Sequence, residues 1–490
     1  MTSDSNTINI LFAASEAEPF VKVGGLGDVA GALPKAILRY AKTLAGKLAI
    51  DLRMVLPYHA AIKSKPFNPE KLGTFTVNTL NGPVPCDVYL VMQEGLPVYL
   101  LDGEAIDDTS PVYHADPVLD GNKYSFFSVF LVELAKFLNW RVDILHANDW
   151  HTASAIYALK TKYKKDPFFK NTATILSLHN MPFNGYGAQE ALTLLGIPPS
   201  EDENLPEWAK HTPLPLGLLT ADRIIAVSPT YAKEIFTPEF GCGLEDFMKT
   251  RVQHVMGILN GIDLDIWNPQ IDQYIVSNYT VDTLAAKTLN KTDLQSTFGL
   301  PLSPDTPLLT LISRMDNQKG IDIALRGLHA ITDENWQAIF LGTGNPDIEH
   351  MAIELSEQYP QRIKAVTKFD AILAHRLYAG ADIFLMPSRY EPCGISQMIS
   401  MLYGTIPVAR ATGGLADTII HYRANADQAT GFLFTRAYPS VFANALLRAL
   451  KTYHNKAVWS KLQRNGMLKD FSWNQSAASY VDVYRQLAHK

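Results

Sequence analysis

Lys22, Arg314 and Lys319 each stand in a glycine-bearing stretch that follows an apolar run, where fixed positive charge and closely approachable backbone suit a phosphate group. In the first stretch, Lys22-Val23-Gly24-Gly25-Leu26-Gly27-Asp28 lies between apolar residues 8–14 and a helix-like segment, 29–40. Loop amides and the helix dipole favour an anion there, and Lys22 adds a full charge. In the second, Ser313-Arg314-Met315-Asp316-Asn317-Gln318-Lys319-Gly320 places two cations five residues apart around a helix start, close enough to clamp one pyrophosphate. Thr412-Gly413-Gly414 offers amides for the same group. Such a set stabilises a leaving nucleoside diphosphate without a metal ion.

Other polar residues gather after apolar runs. His146-Ala147-Asn148-Asp149-Trp150-His151 and His179-Asn180 do so in the first half, and Pro387-Ser388-Arg389-Tyr390-Glu391-Pro392-Cys393-Gly394 in the second. Competing readings are weaker. Gly25-Leu26-Gly27-Asp28-Val29-Ala30 matches the G-x-G-x-x-A dinucleotide fingerprint, but ten residues with Pro19 among them separate it from the strand, and no acidic residue ends the next apolar run. Asp263-Leu264-Asp265 mimics a metal-binding D-x-D, yet it follows Asn260-Gly261 in a linker and reads as structural. No H-E-x-x-H spacing occurs, and Cys86, Cys242 and Cys393 lie too far apart for a disulfide framework or a C-x-x-C pair.

The elements that position these residues read as alternating strands and helices. Apolar runs at 52–56, 98–101, 144–146, 173–178 and 223–227 suggest strands, with helices such as 124–138 between them. The pattern breaks near 267–270, and a fresh series follows at 308–312, 336–341, 363–366, 383–386 and 406–408. This alternation predicts an α/β fold of two doubly wound, Rossmann-like domains, each with a parallel sheet covered on both faces, and a cleft between them. The expected division is 1–265, 275–470 and a final helix at 471–490. In that helix, Ser472-Trp473-Asn474-Gln475 reads as a capping box and Tyr480, Val483, Tyr484 and Leu487 as the apolar stripe.

A chain of 490 residues has room for two such cores. Its net charge of −6 and scattered basic residues argue against a nucleic-acid surface. A polar start and the lack of any long apolar run predict no membrane span, so a cytoplasmic protein is expected, or a plastid-stromal one if a transit peptide has been removed.

Taken together, several separated blocks resemble the bacterial glycogen synthase and plant starch synthase family. They are Ser15-Glu16 with residues 22–28, then 146–151, 179–180, 227–231, 238–243, 259–263, 313–320, 379–394 and 410–418. The resemblance spans nearly the whole chain and implies the GT-B architecture, with ADP-glucose held by the second domain and an α-1,4-glucan by the first. It implies a retaining glucosyl transfer to the glucan 4-hydroxyl, with no cofactor. Carried over by position, it assigns Glu391, His179, Asp149, Arg314 and Lys319 to the reaction. Lys22, Gly24, Gly25, Asp28, Phe369, Gly394, Ile395, Thr412, Gly413 and Gly414 fall at nucleotide and phosphate positions, with Phe369 where an aromatic stacks on adenine; Asn180, Asn260 and Cys393 fall at sugar-binding ones. Alternatives from the residues alone are a core position for Phe369 or His179, and simple helix capping by Asp149.

Three positions depart from related patterns. Ile399 stands where other nucleotide-sugar transferases have a ribose-binding glutamate, though the closer synthases also lack it. His211-Thr212-Pro213-Leu214-Pro215-Leu216-Gly217 replaces an Asn and Lys-Gly pattern, and Gly121-Asn122-Lys123-Tyr124 stands where an Arg-Phe pair is usual. The latter two lie in the glucan-facing domain and point to altered acceptor preference. A UDP-glucose-preferring synthase, an inactive glucan-binding relative and, more distantly, an NAD-dependent dehydrogenase remain alternatives.

Overall fold

In the computed structural model, residues 7–44, 48–106, 109–423 and 427–488 are described. The chain forms two compact units, residues 1–261 with 473–490, and residues 262–472.

The first unit is built on a nine-stranded sheet: β1 (Thr7–Ala13), β2 (Ala49–Pro57), β3 (Glu70–Thr79), β4 (Gly82–Gln93), β5 (Leu96–Asp102), β6 (Ile144–Asn148), β7 (Ala173–Leu178), β8 (Arg223–Ala226) and β9 (Val255–Gly257). Its order is β3-β4-β5-β2-β1-β6-β7-β8-β9. β1 and β6 are near-continuous apolar runs because both faces are covered by helices, and Ile10, Phe12 and Ile144 are completely buried. The sheet is not wholly parallel, contrary to the expectation from βα alternation. β3 pairs antiparallel with β4, and β4 with β5. Thr79 and Gly82 pair across a two-residue turn, Leu80-Asn81, and much of this edge ribbon is solvated. Alternating polar residues around Asn81-Gly82 carried that signal in sequence.

Helix Gly25–Thr43 begins four residues earlier than the sequence suggested, and it buries Val29, Leu33 and Ile37. The C-terminal helix Trp473–Ala488 belongs to this first unit and buries Tyr480, Val483, Tyr484 and Leu487 in the same core. It is also fixed by a polar contact. His146 at the middle of β6 meets the Tyr484 hydroxyl through Nδ1 at 2.8 Å and Ser177 Oγ through Nε2 at 2.8 Å. Burial pushes the His146 pKa down to about 3, so the ring is neutral.

The second unit has six parallel strands: β10 (Leu308–Ile312), β11 (Gln337–Leu341), β12 (Ile363–Val366), β13 (Ile383–Met386), β14 (Ile406–Arg410) and β15 (Phe432–Phe434). Their order is β12-β11-β10-β13-β14-β15. Trp336, Phe340, Phe432 and Phe442 anchor its core. Among the described residues, no helix is long and apolar enough to cross a membrane.

Candidate functional site

Strand order reverses once in each unit, between β1 and β6 in the first and between β10 and β13 in the second. Loops leaving the carboxyl ends of two such strands diverge to opposite faces, which opens a crevice at that point. The chemistry-bearing residues fall on these loops.

In the second unit, the loop after β10 ends at Gly320, whose left-handed backbone (φ 66°) lets it turn into helix Ile321–His329. A Cβ there would collide with the Pro387 carbonyl, so glycine is what lets the loops after β10 and β13 touch. Arg389 N donates to Gln318 O at 2.8 Å, and the Arg389 guanidinium forks onto both oxygens of Asp322 at 2.8 and 2.9 Å. Across this junction Lys319 Nζ donates to Glu391 Oε1 at 2.8 Å and Oε2 at 2.7 Å. Ser388 Oγ adds a third bond to the carboxylate at 3.0 Å. Glu391 is therefore a buried, paired carboxylate rather than a surface loop charge. Arg314 has a different partner, Asp316, at 3.2 Å, and its side chain is 56% exposed. In this structure the two cations are thus held by separate carboxylates.

Gly413 and Gly414 let the β14 loop approach the segment that carries Glu391. The Gly414 amide donates to the carbonyls of Glu391 and Pro392 at 3.2 and 3.1 Å. A Cβ on Gly413 would strike the Glu391 carbonyl, and one on Gly414 the Cys393 carbonyl. These glycines, following Thr412, pack the β14 loop directly against the segment that carries Glu391. Cys393 is buried, and Gln397 Nε2 donates to the carbonyls of Cys393 and Gly394, both at 3.1 Å. Gly394 takes a left-handed backbone (φ 72°), and Ile395 leads into helix Ser396–Leu402, where Ile399 is a core residue. Phe369 is 85% exposed, which rules out the core reading for it.

In the first unit, the glycine-rich loop already holds an anion of its own. Glu16 is 2% exposed and accepts from the amides of Val23 and Gly24, the latter at 3.1 to 3.2 Å. Tyr113 donates its hydroxyl to the same carboxylate at 3.0 Å. Burial raises the Glu16 pKa against these hydrogen bonds. The Gly24 amide is therefore engaged within the protein, which corrects its reading as an open phosphate donor. Lys22 pairs with Asp28 at 2.5 Å and stays 42% exposed; Gly25 begins the helix with open space around its α-carbon.

Asp149 follows β6 with a strained positive φ of 54°. Its carboxylate makes no cap to its own helix, contrary to the capping alternative. Instead Oδ1 accepts from the backbone of His179 at 2.7 Å and of Asn180 at 3.4 Å. Burial pushes its pKa up to about 7. Asn148 Nδ2 donates to Ala13 O at 2.9 Å, so its Oδ1, 3.0 Å from His179 Nε2, is the acceptor. His179 Nε2 must then carry the proton. With its pKa lowered to about 4 by burial, the ring is neutral and Nδ1 is an acceptor. Asn260 is buried, and its Oδ1 has no partner among the described residues.

Glu16, Tyr113 and Asn148 organise this site but do not stand among the residues singled out for chemistry from sequence. Glu16 and Asn148 carry a usable signal, being polar residues just beyond or at the end of an apolar strand. Tyr113 carries none, since it comes from a distant loop.

Comparison with known proteins identifies the family. The model of the starch synthase catalytic domain matches residues 9–250, and that of glycosyl transferases group 1 matches residues 306–452. A glycogen synthase from Bacillus anthracis is 38% identical, covering 98% of this chain and all of that one. A glycogen synthase from Clostridium perfringens is 40% identical over 98% of both chains. The solved catalytic domain of starch synthase IV from Arabidopsis thaliana, bound to ADP and acarbose, superposes with a TM-score of 0.87 at 28% identity, covering 99% of this chain and 100% of that one. The chain belongs to the glycogen synthase and starch synthase family, the GT-B glucosyltransferases of glycogen and starch synthesis.

Proposed function

We propose that this enzyme transfers glucose from ADP-glucose to the non-reducing 4-hydroxyl of an α-1,4-glucan, with retention of the α configuration. The observation that carries the reading is the Lys319–Glu391 pair at the β10/β13 switch point, buried yet with Lys319 still 20% exposed. An ammonium has three donors; two meet Glu391, which leaves the third for a phosphate oxygen. Arg314, exposed and loosely paired, adds a second cation. Together they stabilise the diphosphate as the bond between it and the sugar C1 breaks and the electron pair leaves with the phosphate oxygen. The acceptor hydroxyl forms the new C1–O bond on the same face and gives its proton to that departing oxygen. Glu391 faces the developing positive charge at C1, and neutral His179 accepts a sugar hydroxyl hydrogen bond at Nδ1. Phe369, Gly394 and Ile395 are assigned to the nucleotide, and Asn180, Asn260 and Cys393 to the sugar.

Labelled-glucose transfer onto glycogen from ADP-glucose and, separately, UDP-glucose, each with EDTA present, tests this. Transfer from ADP-glucose that survives EDTA and is lost in Glu391→Ala and Lys319→Ala is the expected outcome. Transfer from UDP-glucose alone overturns the donor assignment; transfer retained in Glu391→Ala overturns the role of the pair.

A further inference from the structure

The loop that follows His179-Asn180 displays aromatic surface that the reaction chemistry leaves without a role. Phe183 is 54% exposed and Tyr186 72% exposed, and Gly187, the next residue, lies against the Pro117–Val118 backbone at the first turn of helix Pro117–Phe137, where Val118 and Leu119 are each 51% exposed. Large apolar side chains grouped in water mark a surface that a ligand can cover.

The loop is built rather than slack. Phe183 N donates to Asn180 O at 3.3 Å, Tyr186 N to Asn184 Oδ1 at 3.0 Å, and Leu214 N to Asn184 O at 3.0 Å. Gly185 and Gly187 have φ of 86° and 96°, and a Cβ on either would run into Trp150 and Pro213 or into the Pro117 carbonyl. The two family departures in this unit supply the seat. Gly121 lies so close to Gly187 and Ala188 that a side chain would clash with their backbone, and Pro213 packs on Gly185. Beside them Lys123 is buried, donating to the carbonyls of Pro111 and Val112 at 2.7 and 2.8 Å, and holds the start of the helix in place. These departures therefore shape the mount of an aromatic loop.

We infer that Phe183 and Tyr186 form a stacking platform for the glucose units of the acceptor chain. A neutral ligand fits because residues 180–189 contain no charged side chain. A pyranose ring has a C–H face that packs on an aromatic ring and hydroxyl edges that reach water or the Tyr186 hydroxyl. The platform is continuous with the Asp149–His179–Asn180 cluster through a single turn. This inference rests on the glucan-synthase reading and adds which residues choose the acceptor.

Its test measures maltoheptaose binding to nucleotide-free protein by calorimetry, alongside transfer kinetics, for wild type, Tyr186→Phe, Tyr186→Ala and the Phe183→Ala/Tyr186→Ala double variant. The double variant should bind maltoheptaose about tenfold more weakly and raise its KM by a similar factor. The donor KM and the kcat at saturating acceptor should stay near wild type, and Tyr186→Phe should retain binding. Equal maltoheptaose affinity in wild type and double variant overturns the inference, as does absence of binding to wild type or a loss confined to kcat. If wild type binds maltoheptaose, the double variant does not, and no donor supports transfer, the platform stands and the synthase reading falls.

Discussion

Asp149 and the buried histidines respond to pH with opposite signs. Asp149 is raised from 3.8 to about 7 by burial, so between those values the folded state holds a proton that the unfolded chain has released. Its contribution to stability is full below pH 4 and is lost as the pH rises through 7. His59, His146 and His179 are lowered to about 4, 3 and 4, so from pH 6.5 downward the unfolded state binds the extra protons and stability falls. Burial lowers His151 as well and raises Glu16 alongside Asp149; the rings still outnumber the carboxyls, which predicts a rise in unfolding midpoint from about pH 4 to 6.5. Asp149→Asn removes its part of the opposing trend, and urea melts across this range should show the variant gaining on wild type as the pH rises from 4 to 7. Lys319→Ala should lower stability as well as activity, by about 3 kcal/mol, because it strands the buried Glu391 carboxylate. Denaturant midpoints check this; an unchanged midpoint would mean water reaches Glu391 once the lysine is gone.

At the scale of elements, glycines decide how loops meet. Gly414→Ala should cost more than ordinary surface changes, since its Cβ would enter the Cys393 carbonyl, and the Glu391 segment would have to move. A lower melting temperature together with lost glucosyl transfer is expected, whereas Gly25→Ala, with open space at its α-carbon, should keep the fold. Sequence read Gly413 and Gly414 as amides open to a phosphate, whereas the Gly414 amide meets the Glu391 and Pro392 carbonyls. A glycine that opens an amide to a ligand and one that lets two backbones touch look identical until the neighbour is known. The β3–β4 ribbon was passed over for a related reason. β3 alternates polar and apolar residues and offers no continuous apolar run, and β4 has one at residues 88–92 that joins the sheet antiparallel, a pairing that βα alternation does not announce.

For the whole molecule, hydrophobic clusters that each lie within one unit predict that damage stays within that unit. Tyr484→Phe removes the hydroxyl bonded to His146 and leaves a buried ring nitrogen unpaired, at a cost of about 1 to 3 kcal/mol. Hydrogen exchange should quicken in β6, β7 and the C-terminal helix while β10, β11 and β13 keep their protection. Quickened exchange in both sheets would show that the two units unfold together.

What the sequence by itself determined are the locally encoded features: the apolar runs that became strands in both sheets, the C-terminal helix with its buried stripe, and the chain-long set of blocks that places it among glycogen and starch synthases. These depend on residue type and short-range spacing. Only the tertiary structure decided that Glu16 fills the glycine loop, that Lys319 grips Glu391, and that Asn148 orients His179 while Asp149 holds its backbone. All but the first join distant segments of the chain, such as Lys319 and Glu391, 72 residues apart. Burial then changes what each group can do, holding His179 neutral and raising the Asp149 pKa to about 7.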